Sequence, residues 1–238
     1  MTSSFHDTRW TLISRSRGDD AGARVALSEL CAAYYEPVVM FLRHDGRMAD
    51  EARSLAHDFF AKLLGGDAIG GADPTKGKFR SYLLAAVKRF AADQRERCNA
   101  AKRGGGQSHV IIDQGESATG AGLQIEDDHI EPPDAAFDRQ WALTLLALAL
   151  ARLESEMTAI GKAVQFTTLK PWLTAETDGI SQSTAATQLG ISEEAVKVAI
   201  HRLRRRFREA VKTEIAQTVS DPERVHDELE ALKAALRQ

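Results

Sequence analysis

Apolar residues recur along this chain at intervals of three and four, the spacing that gathers them on one side of an α-helix. Val25, Leu27, Leu30, Cys31, Tyr34 and Tyr35 form the first such set, and the face continues through Val38, Val39, Phe41 and Leu42 after a bend expected at Pro37. Asp45 and Gly46 interrupt it. A second helix is predicted from about Asp50, with Ala52, Leu55, Phe59, Phe60, Leu63 and Leu64 inward, and Gly65, Gly66, Gly70 and Gly71 then mark a loop. Over residues 79–97, Phe79, Leu83, Ala86, Val87 and Phe90 suit a core stripe, while Arg80, Tyr82, Lys88, Arg89, Arg95 and Arg97 lie outside it. From about Asp138 the residues Trp141, Leu143, Leu145, Leu146, Leu148, Leu150 and Leu153 are apolar nearly all round, which predicts a buried helix; Phe166, Leu169, Trp172 and Leu173 follow. Thr8 to Ile13 form a short helical lead-in, and Val225, Leu229, Leu232 and Leu236 a small terminal helix.

The most organised stretch is 183–211. A short small-residue helix with Ala185, Ala186 and Leu189 on one side runs into Gly190, which supplies the left-handed backbone of a tight turn. Ser192 is placed to cap the next helix, Ile191 and Val196 to staple its first turn, and Glu193 and Glu194 to favour its dipole. Val196, Ala199, Ile200, Leu203, Phe207 and Val211 form its apolar stripe, and Lys197, His201, Arg204, Arg205 and Arg208 share the opposite side. Short helix, tight turn and longer basic helix make a helix-turn-helix, in which the second helix reads the DNA major groove.

The charge distribution carries this further. The formal net charge is only −3, yet Lys76, Lys78, Arg80, Lys88, Arg89, Arg95, Arg97, Lys102 and Arg103 form one basic block and the helix-turn-helix a second. Between 104 and 138 there is no lysine or arginine, while Asp113, Glu116, Glu126, Asp127, Asp128, Glu131, Asp134 and Asp138 accumulate. Two cationic regions flank an anionic, Gly- and Ser-rich connector in which Val110, Ile111 and Ile112 are the one apolar knot. Basic residues interleaved with Tyr82 suit single-stranded DNA, whose phosphates seek cations and whose bases stack on a ring.

Cys31 and Cys98 lie far apart without metal-ligand spacing, and no Gly-rich phosphate loop or nucleophile elbow accompanies the titratable pairs, so neither a metal, a cofactor nor an enzyme is expected. Without a signal-length apolar segment or a stretch that spans a membrane, the expected compartment is the reducing cytoplasm.

Taken together, these pieces resemble the extracytoplasmic-function (ECF) sigma factors of bacterial RNA polymerase, of the sigma-70 family, over most of the chain. The run from 51 to 60, Glu-Ala-Arg-Ser-Leu-Ala-His-Asp-Phe-Phe, looks like their polymerase-binding helix; 79–97 is similar to the segments that melt and read the minus-ten element; 185–208 resembles the minus-thirty-five reader, and its run Ala-Val-Lys-Val-Ala-Ile-His-Arg-Leu-Arg from 195 to 204 is the most specific match. The resemblance implies an all-α fold of two helical domains. Residues 22–103 would be a sigma region 2-like unit binding core polymerase and the minus-ten element, 104–137 a flexible acidic linker, and 138–215 a sigma region 4-like unit with the helix-turn-helix, between a lead-in at 1–21 and a C-terminal helical extension at 216–238. Implied partners are core RNA polymerase, through its clamp coiled coil and flap, and promoter DNA, both duplex and melted non-template strand, with an anti-sigma protein or a Ser/Thr kinase as candidate regulators.

By position, Glu194, Lys197, Val198, His201, Arg202 and Arg205 are the candidate minus-thirty-five residues: a carboxylate accepts from cytosine and an aliphatic group meets a thymine methyl. Arg204, Arg206 and Arg208 are assigned to phosphate contact or solvated charge. Tyr82, Lys88, Arg89, Asp93 and Arg97 are the candidates for promoter opening, and Asp50, Glu51, Ser54, Leu55, Asp58 and Phe59 for polymerase docking. The chain departs from the family at Arg53 and Ser54, where carboxylates are expected. Phosphorylation of Ser54 would restore the negative charge there. Arg89 and Tyr82 stand where Asn and Trp are frequent. The rival reading is a stand-alone helix-turn-helix regulator that dimerises through its tail.

Overall fold

The computed structural model describes residues 21–64, 78–104, 131–174, 181–219 and 221–237, and over them the chain is all-α. The lead-in at 8–13, the glycine loop and the apolar knot at 110–112 lie outside the described residues. Helix α1 spans Ala21–His44 and runs uninterrupted through the buried Pro37, where a bend is expected. A mid-helix proline forfeits an N–H bond and costs about 3 kcal/mol, so the burial of Tyr34, Val38 and Leu42 around it must hold the helix together. Gly46, at φ 92°, turns the chain into α2, Ala49–Leu64, whose first turn carries Asp50 and Glu51 against the helix dipole.

Helix α3 spans Phe79–Gly104 and α4 Pro133–Ala159. The latter begins five residues before Asp138, because Pro133 sits where its missing N–H costs nothing and Asp134 occupies the favourable first turn. Leu143 is 44% exposed, which corrects the expectation of a helix buried all round. Trp141, Leu145 and Leu153 are buried, and Leu146, Leu148 and Leu150 half-buried. Three short helices follow, α5 (Ala163–Leu169), α6 (Pro171–Thr174) and α7 (Gln182–Leu189), then the long α8 (Glu193–Ala216), a 3-10 turn (Pro222–Arg224) and α9 (Val225–Ala235).

Two apolar cores result, and α4 and α8 run through both. The larger gathers Tyr34 and Leu42 of α1, Phe59 and Phe60 of α2 and Phe79 and Phe90 of α3 against Trp141 and Leu145 of α4, with Val211 and Ile215 of α8 and Leu232 of α9 closing it. The smaller joins Leu153 and Met157 of α4 to Phe166, Leu169, Ala185, Val196, Ile200 and Leu203. The α1–α4 contact is the most extensive between any two helices. His44 Nδ1 donates to the Glu131 carbonyl (2.8 Å), and the Phe79 N–H reaches the Thr218 carbonyl (3.5 Å), so the start of α3 touches the end of α8.

Candidate nucleic-acid interface

Local chemistry builds the helix-turn-helix. Ser181 caps α7 by accepting from the Thr184 N–H (3.0 Å), and Gly190 ends it in the left-handed region at φ 62°, ψ 36°. The Ile191 N–H closes back on the Ala186 carbonyl (3.1 Å), which completes the glycine-terminated helix end. Ser192 then accepts from the Ala195 N–H (3.2 Å) and starts α8. Val196, Ile200, Leu203 and Val211 are buried and Ala199 and Phe207 half-buried, as the apolar stripe requires, whereas Ile191 remains 38% exposed.

Glu194, Lys197, Val198, His201, Arg202 and Arg205 are all exposed. Their spacing i, i+3, i+4, i+7, i+8, i+11 confines them to an arc of about 140° at ~100° per residue, opposite the buried stripe. Between Lys197 and Arg208 α8 carries no carboxylate. Along one flank of this arc, Glu194, Val198 and Arg202 line a groove of about 500 Å3 with Met157, Lys162 and Leu169. Arg204 turns aside, with Nε and Nη2 donating to the Trp172 carbonyl at 3.3 and 3.2 Å, and Arg206 reaches the Met157 sulfur at 3.3 Å. Both tie α8 to its neighbours.

A second concave surface lies between α2 and α3. Phe59, Lys62, Tyr82, Ala86, Arg89, Phe90 and Asp93 line a cavity of about 230 Å3, below the ~300–1,000 Å3 of drug-sized pockets and so suited to one flat group. It brings together three of the candidate promoter-opening residues. Tyr82 is half-buried with its ring centroid 6.2 Å from that of Phe79, Asp93 lies 3.8 Å from Lys62, and Arg89 is exposed. Lys88 is directed away and pairs with Asp134, while Arg97 lies exposed about one turn beyond Asp93 at the cavity's end. Asp50, Glu51, Ser54 and Asp58 are exposed on α2, where Asp50, Ser54 and Asp58 follow one another at i, i+4, i+8; Leu55 is half-buried. Phe59 is 3% exposed, its ring between Phe60 and Phe90, so it supports this face from beneath.

Arg80 does not stay outside the core stripe as the pattern suggests. Its guanidinium lies 4.6 Å from the Trp141 ring centroid, donates to Asp138, and brings Nε to 3.4 Å from Glu228, whose carboxylate is 1% exposed. Burial alone lowers the pKa of this guanidinium, but the hydrogen bond and charge of Asp138, with Glu228, leave it raised above the ordinary arginine value. Lys78 Nζ completes the group at 2.8 Å from Glu228. The one signal in the sequence is Glu228 itself, a carboxylate set on the apolar stripe of Val225, Leu229 and Leu232.

The arrangement suits nucleic acid twice over, with a cationic helix shaped for a duplex groove and an aromatic cavity rimmed by Arg89 and Lys62. No described helix is long and apolar enough to cross a membrane. Neither the curated proteins nor the solved structures give a significant match. A family model described as ECF sigma factor matches residues 11–213 of the 238, a span that takes in α2, α3 and the whole helix-turn-helix. The protein therefore belongs to the ECF sigma factors and serves promoter-specific initiation of transcription, with core RNA polymerase and promoter DNA as its partners.

Proposed function

We propose that this chain holds a promoter at two points. The region 4-like unit, 138–215, lays α8 in the major groove of the minus-thirty-five element, with Glu194, Lys197, Val198, His201, Arg202 and Arg205 toward base edges. The region 2-like unit, 22–103, docks on the polymerase clamp through Asp50, Glu51, Ser54, Leu55 and Asp58 over Phe59. It opens the minus-ten element with Tyr82, Lys88, Arg89, Asp93 and Arg97, a flipped base entering the cavity against Tyr82. The acidic linker 104–137 and the extension 216–238 serve control. The observation that carries this reading is the exposed six-residue arc on α8 set opposite its buried stripe. Footprinting of the chain with purified core polymerase on genomic fragments tests it: protection of both elements is expected, and protection of a single site without polymerase overturns it.

Ser54 is the proposed point of regulation. It is exposed beside Arg53 on the docking face, and a Ser/Thr kinase acting there would add nearly two negative charges toward the basic clamp. Equal polymerase affinity of Ser54→Ala and Ser54→Asp sinks that idea. An anti-sigma protein is the other means of control, and it would act by covering the same docking and reading faces. The stand-alone regulator loses ground because α9, the helix that would dimerise it, buries Leu232 and Ala235 in the chain's own core.

A further inference from the structure

Cations of α3 and its approach already face carboxylates of the same chain. Lys78 and Arg80 meet Glu228 of α9 at 2.8 and 3.4 Å, Arg80 also donates to Asp138 of α4, and Lys88 to Asp134 one turn earlier in α4. Glu228 is buried on a stripe where leucine would pack more cheaply. Burying a carboxylate is costly unless its charge is matched, so its presence there is explained by the cations it meets. We propose that α9 and the start of α4 form an intramolecular lock, in which Glu228, Asp138 and Asp134 hold Lys78, Arg80 and Lys88 in place of nucleic-acid phosphates and keep the free chain closed. The proposal rests on the reading of α3 as the single-strand contact.

Distance makes the closed form incompatible with the two-point grip. The start of α3 touches the residue two beyond the end of α8. At ~1.5 Å per residue, Lys88 is then ~14 Å from that junction and His201 ~26 Å, so the two DNA contacts lie within about 50 Å even with side chains added. Elements centred at minus ten and minus thirty-five are about 25 base pairs apart, or ~85 Å at ~3.4 Å per pair. The units must separate before both elements are held. The docking face of α2 and the reading arc of α8 remain exposed in the closed form. The lock therefore withholds Lys78, Arg80 and Lys88 from phosphates and leaves the Tyr82 cavity, Arg89 and polymerase docking available.

The test uses the full chain and its isosteric amide variant Asp134→Asn/Asp138→Asn/Glu228→Gln. Binding to a fluorescein-labelled 20-nucleotide single strand of mixed sequence is read by anisotropy across a salt series. Three cations freed for phosphates, at ~0.7 each, steepen the log–log salt slope by about 2 and tighten low-salt binding about tenfold; Glu228→Gln alone gives an intermediate gain. Spin labels on Cys98 and Lys212→Cys, in a Cys31→Ala background, report closure. The unlocked variant loses the population below about 45 Å that helix geometry requires of the closed chain. Unchanged affinity and slope in the amide variant, or a parent chain already lacking the short distance, overturns the lock. Run-off transcription separates the two readings: if the promoter reading alone fails, no chain starts transcription, yet the gain in single-strand affinity persists.

Discussion

Arg80→Met removes the charge at the junction of α3, α4 and α9 while leaving an apolar stem against Trp141. Three losses follow, and burial ranks them. Glu228, 1% exposed, keeps only Lys78, itself 26% exposed. Breaking a buried pair costs ~3–5 kcal/mol when the survivor is stranded, so with Lys78 still in place about 2 kcal/mol is the reasonable share. Asp138, 32% exposed, is solvated enough to lose only ~0.5 kcal/mol. The cation over Trp141 adds ~0.5–1 kcal/mol. The sum is about 3 kcal/mol, which in urea, at a slope of ~2–3 kcal/mol per molar, lowers the unfolding midpoint by about 1–1.5 M. Adding Glu228→Leu replaces the stranded carboxylate by an apolar side chain and recovers most of the loss, since Lys78 reaches water. Tryptophan fluorescence during urea unfolding reads all three proteins. A midpoint for Arg80→Met within about 0.3 M of the parent, or a double variant less stable than the single, refutes the assignment of Glu228 as a buried, Arg80-dependent charge.

Tyr82→Ala should weaken capture of a melted minus-ten strand by the ~1–3 kcal/mol of one stacked base, with Tyr82→Phe close to the parent; equal loss in both, measured by anisotropy on a fork-junction probe, would remove stacking as its role. Gly190→Ala meets no atom within 4 Å, so its cost is the left-handed backbone alone, about 1 kcal/mol, read as a drop of a few degrees in Tm with Asn at 190 falling less. Burial raises the pKa of Cys31, which leaves less thiolate at any given pH, whereas Cys98 is exposed. Maleimide at neutral pH should therefore take Cys98 first, and equal rates by mass spectrometry would contradict the packing of α1.

The helix-turn-helix was legible because its determinants are local. Gly190, the Ser192 cap and the stripe from Val196 to Val211 act within a few residues of one another, and the structure keeps each in the expected role. Pro133 and Asp134 carry a helix-start signature as plain as any, yet the acidic composition around them reads as connector, and the apolar pattern begins five residues after α4 does. Leu143 shows the limit of composition: an apolar circumference cannot say which side the neighbours leave open, and α1 and α8 leave that one. Arg80 and Glu228 were out of reach for a different reason. Their partners lie 58 and about 150 positions away in the chain, and only the fold that stacks α3, α4 and α9 decides that a cation of a DNA-facing pattern is turned inward. The cavity at Tyr82 and Arg89 lies between these cases, its α3 side readable from spacing and its α2 side, Phe59 and Lys62, only from packing.

Promoter choice by α8 on behalf of polymerase is read out by run-off transcription with purified core polymerase on genomic fragments. Lys197→Ala/His201→Ala/Arg202→Ala leaves the buried stripe and the Ser192 cap untouched, so folding is retained and polymerase docking through α2 is unchanged. Discrete start sites are expected with the parent chain, and their loss with this variant. Start sites of undiminished strength from the variant, or none above core polymerase alone from the parent, would contradict promoter choice by α8.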